Sequence, residues 1–321
     1  MKQTIKVFID GAEGTTGLRL YDRLSEREDI ELLTIDPDLR KDADARAEVS
    51  NRADVVFLCL PDDAAREAAA RIDPSVKVID ASTAHRTADS WAYGFPELSA
   101  GQRVRVAQAS RLANPGCHAT GFISLVYPLV ASGIATPDYP FSCHSVTGYS
   151  GAGKAMIAKY NDPSRPEYYA SPRQYAMSQA HKHQAEMQKM CALTRTPIIH
   201  PIISDIYAGM VVTVPIYTHL LHRYPSAEEL QRFFEDFYAG QKLVHVMPFG
   251  AESAYEGGMI DAVQLAGYDD LEIFVCGNSE RVALVARFDN LGKGASGAAI
   301  QNMNIMCGLP EETGLRIYPE R

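Results

Sequence analysis

No stretch of this 321-residue chain is apolar for long enough to span a membrane as a helix. No two of its six cysteines form a C-x-x-C pair, and no run of lysines and arginines interrupts its net charge of -9. The first absence argues against a membrane partner. The second argues against a zinc site or any other metal centre and leaves scattered thiols at positions 59, 117, 143, 191, 276 and 307, which suit a reducing compartment. The third argues against nucleic acid as a partner. Met1 to Thr4 lead straight into the apolar stretch Ile5 to Ile9 without a signal-peptide core, so the cytoplasm is the expected location. One more absence is local: from Leu98 to Pro137 there is neither Asp nor Glu, where even spreading of 40 acids would put about five. Arg103, Arg105 and Arg111 fall in that window, so a positive pocket for an anionic substrate is expected there, with a buried, charge-excluding strand and helix as the alternative.

Inside that window, Asn114-Pro115-Gly116-Cys117 places one thiol after a turn and before apolar residues at helical spacing (Phe122, Ile123, Val126, Val130). Cys117 is therefore expected at a helix N-terminus, whose open amides and positive dipole end favour thiolate over thiol. The other cysteines lack this combination; Cys59, Cys143 and Cys276 sit in apolar, strand-like surroundings.

The first third alternates strand and helix: Ile5 to Asp10, Thr15 to Arg27, Ile30 to Ile35, Asp42 to Asn51, Asp54 to Leu60, Asp62 to Ile72, Val76 to Asp80. That order predicts an α/β, Rossmann-type doubly wound parallel sheet. Beyond Cys117 the texture becomes Pro- and Gly-rich among extended runs (Phe141 to Thr147, Ile198 to Ser204, Met210 to Tyr217, Leu271 to Cys276, Arg281 to Phe288), with helices expected over Ser178 to Leu193 and Ala227 to Ala239. An α+β catalytic domain with a mainly antiparallel sheet is expected. The domain reading is 1–116 for dinucleotide binding, completed by a C-terminal helix over 290–308, and 117–289 for catalysis and oligomerisation.

The turn after the first strand, Gly11-Ala12-Glu13-Gly14-Thr15-Thr16-Gly17, has its glycines as G-x-x-G-x-x-G, between strand and helix, where backbone amides can approach a pyrophosphate. Asp36 ends the second strand and suits the 2′-hydroxyl of NAD, whereas Arg40 and Lys41 suit a 2′-phosphate; the residues alone leave both open. Gln179 to Met187 offers a proton-handling partner for the cysteine. On a helix His183 and Glu186 share a face while His181 and His183 point apart, which favours one acting histidine over an H-x-H metal site. Arg86, after the fourth strand, is a candidate phosphate ligand, and Ser145 to Lys154 is an amide-rich turn ending in a cation that lacks the Ser or Thr of a Walker A loop.

These motifs, in this order, resemble the N-acetyl-γ-glutamyl-phosphate reductase family of arginine biosynthesis, its shorter second type, within the aspartate-semialdehyde dehydrogenase-like superfamily. The resemblance covers nearly the whole chain. It rests on Gly11 to Gly17, Ser82 to Arg86, Tyr93 to Leu98, Asn114 to Cys117, Gly151 to Lys154, His181-Lys182-His183 with Glu186, Asp289-Asn290, and Lys293-Gly294 through Asn304. Glu13 and His85 depart from the family pattern. The resemblance implies an NADPH-dependent acyl-phosphate reductase with Cys117 as nucleophile and His183 or His181 as acid/base, His183 being preferred for its pairing with Glu186. It implies cofactor contacts from Gly11, Glu13, Gly14, Thr15, Thr16, Gly17, Asp36, Arg40, Ser82, Gly151 and Asn290, and substrate contacts from Arg86, Asn114, Ser145 and Lys154. A homodimer or homotetramer acting on a small acyl phosphate is expected. An aspartate-semialdehyde dehydrogenase, a catalytically inactive nucleotide sensor and a cysteine hydrolase are the rival readings.

Overall fold

The computed structural model describes residues 4–223 and 225–319. The chain forms two compact units, one running to Gly116 and including Ala295–Leu315, the other built on Cys117–Gly294.

In the first unit, β1 (Ile5–Asp10), β2 (Ile30–Leu33), β3 (Val55–Leu58), β4 (Lys77–Asp80), β5 (Ala92–Tyr93) and β6 (Arg111–Ala113) make one sheet in the order β2-β1-β3-β4-β6-β5. Every pairing is parallel. Side chains alternate across a strand, so each strand feeds two cores. Val7, Ile9, Val55 and Phe57 pack on one face with Leu20 and Leu24 of helix α1 (Thr15–Ser25) and with Ile300 and Met303 of the C-terminal helix Gly297–Met306. Phe8, Val56, Leu58 and Val78 pack on the other, where Val49 of α2 (Ala43–Ser50) and Ala68 and Ala69 of α3 (Asp62–Arg71) close the layer. A helix α4 (Ala100–Gln108), absent from the expected order, precedes β6. The order turns back on itself between β1 and β3, the switch point outside whose carboxyl ends doubly wound sheets hold ligands.

In the second unit, β7 (Ser142–Gly148), β8 (Arg173–Gln174), β9 (Ile198–Ser204), β10 (Met210–Tyr217), β11 (Val244–Val246), β12 (Leu271–Gly277) and β13 (Arg281–Phe288) run in the order β11-β12-β13-β10-β7-β9-β8. Pairings β11 with β12 and β7 with β9 are parallel, the other four antiparallel. Helix α5 (Cys117–Ala131) lies directly on this sheet, because Gly121 carries no side chain: a Cβ there would stand 2.4 Å from Val212 Cγ2 of β10. Around the helix Phe122, Ile123, Leu125, Val126 and Leu129 are all buried, roughly 1.5–3 kcal/mol for each large side chain. Helices α6 (Lys154–Asn161), α7 (Gln184–Met190) and α8 (Ala227–Phe237) complete the unit. The helix expected over Ser178 to Leu193 is shorter: it begins at Gln184, with His183 at its N-cap.

Candidate active site

The glycine turn after β1 is built from backbone alone. Gly11 has φ +86°, and a Cβ on it would meet Cys59 O at 2.4 Å. Gly17 is packed so closely on the turn that a Cβ would meet Gly11 O at 2.4 Å. Gly14 caps α1 with no side-chain hydrogen bond, and no acidic residue stands in the helix's first turn, so its amides and positive dipole end favour an anion. Thr15 Oγ1, at the first helical position, is buried and has no hydrogen-bond partner among the described residues. These features fit a nucleotide pyrophosphate. Thr16 follows Thr15, half-buried in the same helical turn.

A cleft of about 860 Å³ opens beside this turn, lined by Gly11, Ala12, Glu13, Arg40, Lys41 and Arg46 among others. Asp36 is not in its lining; its carboxylate accepts the Asp38 amide at 2.9 Å, capping its own turn. Arg40 pairs with Glu13 and donates from Nε to Pro37 O at 2.9 Å. The cleft wall thus carries Arg40, Lys41 and Arg46 together with Asp10, Glu13 and Asp38, and Arg46 pairs with Asp10 at 2.7 Å.

Cys117 is the first residue of α5 and is half-buried. Gly294 lies against it, since a Cβ on Gly294 would stand 3.0 Å from Cys117 Cβ. Burial pushes the thiols of Cys59, Cys143 and Cys276 up to about 12, and raises those of Cys191 and Cys307, which disfavours the thiolate at all five. The next residue, His118, is 2% exposed and sits in a cluster of rings. Its centroid is 5.1 Å from His181 and 5.5 Å from His183, which are 4.7 Å apart edge to face. His118 Nδ1 is 2.6 Å from Ser145 Oγ, and Nε2 is 2.7 Å from the Tyr175 hydroxyl.

Because His181 and His183 lie in the turn that leads into α7, with His183 at its N-cap, the expectation that they point apart is corrected; His183 itself has helical backbone angles and its carbonyl accepts the Met187 amide at 3.1 Å, so the i, i+3 spacing to Glu186 in the first turn of α7 is kept. Both rings face the same cluster. The turn is held by two glutamines: Gln184 Oε1 accepts the His181 amide at 2.7 Å and Gln184 Nε2 donates to Pro197 O, while Gln179 exchanges two hydrogen bonds with the Ile199 backbone. The His183 amide donates to His181 Nδ1 at 3.1 Å.

Several other candidates turn inward. Ser145 is fully buried, its hydroxyl engaged with His118, so it is not open to a substrate. Ser82 donates to Asp80 Oδ2, which also bonds His85, whose ring stacks on Trp91 at 3.9 Å. Arg86, 8% exposed, donates to the carbonyls of Asn114 and Ala81, bracing the turn that leads to the cysteine. The Asn114 amide is tied at both ends, to Ala295 O and to Asn302 Nδ2. Asn290, 1% exposed, bonds Ser150 Oγ and the Gly209 amide and packs on Gly151, where a Cβ would stand 3.1 Å from its Nδ2. Lys154 opens α6 and is exposed. The expected arginine-rich pocket does not form from the acid-free window: Arg103 pairs with Glu311, Arg111 donates to the carbonyls of Ile72 and Val76, and Arg105 is exposed on α4. Within the window, the lack of acids over α5 goes with its burial, eleven of its fifteen residues being buried. His118 and Tyr175 were not among the sequence candidates. A histidine directly after the nucleophile was the available signal for the first; Tyr175 meets it only through the fold.

A family model for the semialdehyde dehydrogenase dimerisation domain matches residues 117–290, and one for the semialdehyde dehydrogenase NAD binding domain matches residues 36–105. The chain is 47% identical over 318 residues to N-acetyl-gamma-glutamyl-phosphate reductase 2 of Nostoc sp., covering 97% of this chain and 99% of that protein. It is 45% identical over 308 residues to N-acetyl-gamma-glutamyl-phosphate reductase of Brucella ovis, covering 94% and 99%. The fold is similar to aspartate semialdehyde dehydrogenase II of Vibrio cholerae (TM-score 0.69, 17% identity, 95% of this chain and 99% of that one). It is also similar to aspartate semialdehyde dehydrogenase with NADP from Candida albicans (TM-score 0.67, 14% identity, 95% and 99%). With full-length identity to the reductases and only a shared fold with the aspartate enzymes, the chain belongs to the N-acetyl-γ-glutamyl-phosphate reductase family of the semialdehyde dehydrogenases.

Proposed function

We propose that the protein reduces N-acetyl-L-glutamyl 5-phosphate to N-acetyl-L-glutamate 5-semialdehyde, releasing inorganic phosphate, as a step of arginine biosynthesis in the cytoplasm and as a homodimer or homotetramer. The observation that carries the chemistry is Cys117, a half-exposed thiol at a helix N-terminus followed directly by a cluster of three histidine rings. The identity of the substrate rests on the reductase relatives.

The Cys117 thiolate attacks the acyl carbon, the carbon–oxygen bond to phosphate breaks, the phosphate leaves with the electron pair, and a thioester remains. NADPH, when bound, supplies the hydride that takes the thioester carbon to the aldehyde oxidation level. The residues to hold it are Gly11 to Gly17 for the pyrophosphate and Arg40 with Lys41 for the 2′-phosphate. The positive dipole end of α5, at whose first residue Cys117 stands, stabilises negative charge on the acyl oxygen. His183 holds a proton at that oxygen and takes it back as the carbonyl re-forms and the carbon–sulfur bond breaks. His181 is the poorer proton carrier: its Nδ1 accepts the His183 amide, and a proton there would face that amide's own N–H. It serves instead as a fixed Nε2–H donor. Arg86 is read as a positioning residue for the peptide before Cys117.

The test is phosphate-dependent reduction of NADP⁺ with each of two aldehydes. N-acetylglutamate 5-semialdehyde is expected to be oxidised and aspartate semialdehyde to be a poor substrate; the reverse preference would assign the chain to the rival chemistry.

A further inference from the structure

Ser145, His118 and Tyr175 form a chain of hydrogen bonds whose direction is set by the burial of its first member. Ser145 is fully buried, and its hydroxyl lies 2.6 Å from His118 Nδ1, its hydrogen-bond partner among the described residues. A hydroxyl has one proton to give, and leaving a buried donor unmet costs more than leaving a lone pair spare. Ser145 therefore donates, and Nδ1 accepts. The ring is neutral: burial, then the nearby His181 and Lys182, push the His118 pKa down to about 3. A neutral imidazole with a bare Nδ1 carries its proton on Nε2, and Nε2 is 2.7 Å from the Tyr175 oxygen. Tyr175 must then accept from His118, which leaves the phenolic proton pointing elsewhere. Burial, and after it the charge of Cys117, hold the Tyr175 phenol above its ordinary range, so the hydroxyl stays protonated and within electrostatic reach of the nucleophile.

Resting on the reading of Cys117 as the acylated nucleophile, we propose that His118 is a positioning residue: by occupying the Tyr175 oxygen it turns the Tyr175 O–H toward the acyl oxygen on Cys117. Tyr175 is then a hydrogen-bond donor to the developing oxyanion, and Ser145 sets the tautomer two bonds away. No proton leaves any of the three groups. The reverse direction, with Tyr175 donating to Nε2, would leave the Ser145 proton buried without an acceptor.

The experiment has two arms on the full-length protein. In the first, Tyr175→Phe keeps the ring and removes one oxygen; kcat for acyl-phosphate reduction is expected to fall about 100-fold, with KM changed less than about threefold. Ser145→Ala frees the tautomer and is expected to cost about tenfold in kcat in the wild-type background and nothing further in Tyr175→Phe. A Tyr175→Phe enzyme within threefold of wild type, or a Ser145→Ala loss of the same size in both backgrounds, overturns the proposal. The second arm needs no substrate: long-range ¹H–¹⁵N correlation of the histidine rings at pH 7, with His118 assigned by its loss in His118→Gln. An Nε2–H tautomer supports the chain of bonds, and an Nδ1–H tautomer or an imidazolium overturns it. A wild-type protein that shows the Nε2–H ring but does not reduce the acyl phosphate overturns the functional reading instead.

Discussion

The turn Gly11 to Gly17 and the turn Gln179 to Gln184 do related work by opposite means. The first has no side-chain cap, and its shape depends on missing Cβ atoms at Gly11 and Gly17. The second contains no glycine. Gln179 holds a left-handed φ of +56° that a non-glycine residue adopts only under constraint, and the constraint is its own amide, paired with Ile199. Gln184 supplies the other brace, gripping the His181 amide and Pro197 O. On the proposed function the contrast has a reason: a phosphate needs close approach of amides, which side chains would block, whereas proton transfer needs imidazoles held in place, which side-chain staples provide.

Each turn is thus sensitive to a different change. The largest effect is expected for Gly17→Ala, whose Cβ would run into Gly11 O: NADPH affinity falls about 100-fold by fluorescence titration, with the thiol of Cys117 still alkylated at the wild-type rate. Equal loss in both readouts would mean general misfolding and break the contrast. Next comes Gln184→Ala, which loosens the histidine turn; kcat is expected to fall about 30-fold while NADPH affinity is unchanged. A smaller and more selective effect belongs to Arg40→Ala, about tenfold weaker NADPH binding with NADH binding unaltered, since only the first carries a 2′-phosphate.

The smallest effect concerns pH. His118 is neutral in the folded protein down to about pH 3, whereas in the unfolded chain it protonates near its ordinary value of about 6.5. Below that value the unfolded state binds the extra proton, so this group's share of stability is present at pH 7 and lost as pH falls toward 3. The slope approaches about 1.4 kcal/mol per pH unit. Urea unfolding at pH 7 and 5.5 measures it, and His118→Gln is expected to flatten the dependence by about 1 kcal/mol over that interval.

The contrast also explains what could be read in advance. Strands β1, β9, β10 and β13 were legible to the residue, and the glycine turn with them, because alternation and glycine spacing are local properties of the chain. The start of α5 at Cys117 was legible for the same reason. The histidine turn was not: Gln179 to Gln184 reads as helix, and only the pairing of Gln179 and Gln184 with Ile199 and Pro197, thirteen or more residues on, holds it out of one. Arg86 and Asn114 attract attention as charged and polar residues near the nucleophile, yet their bonds are to backbone carbonyls and to Asn302, partners that spacing does not reveal. Over α5 the acid-free window goes with burial, not with a pocket of arginines.

The central claim is a thioester on Cys117. The most direct measurement mixes the protein with N-acetyl-L-glutamyl 5-phosphate in the absence of NADPH and follows released phosphate and intact mass together. One equivalent of phosphate, one acyl group added to the peptide containing Cys117, and neither in Cys117→Ser is the predicted result; phosphate release without an adduct, or an adduct on another residue, would contradict it.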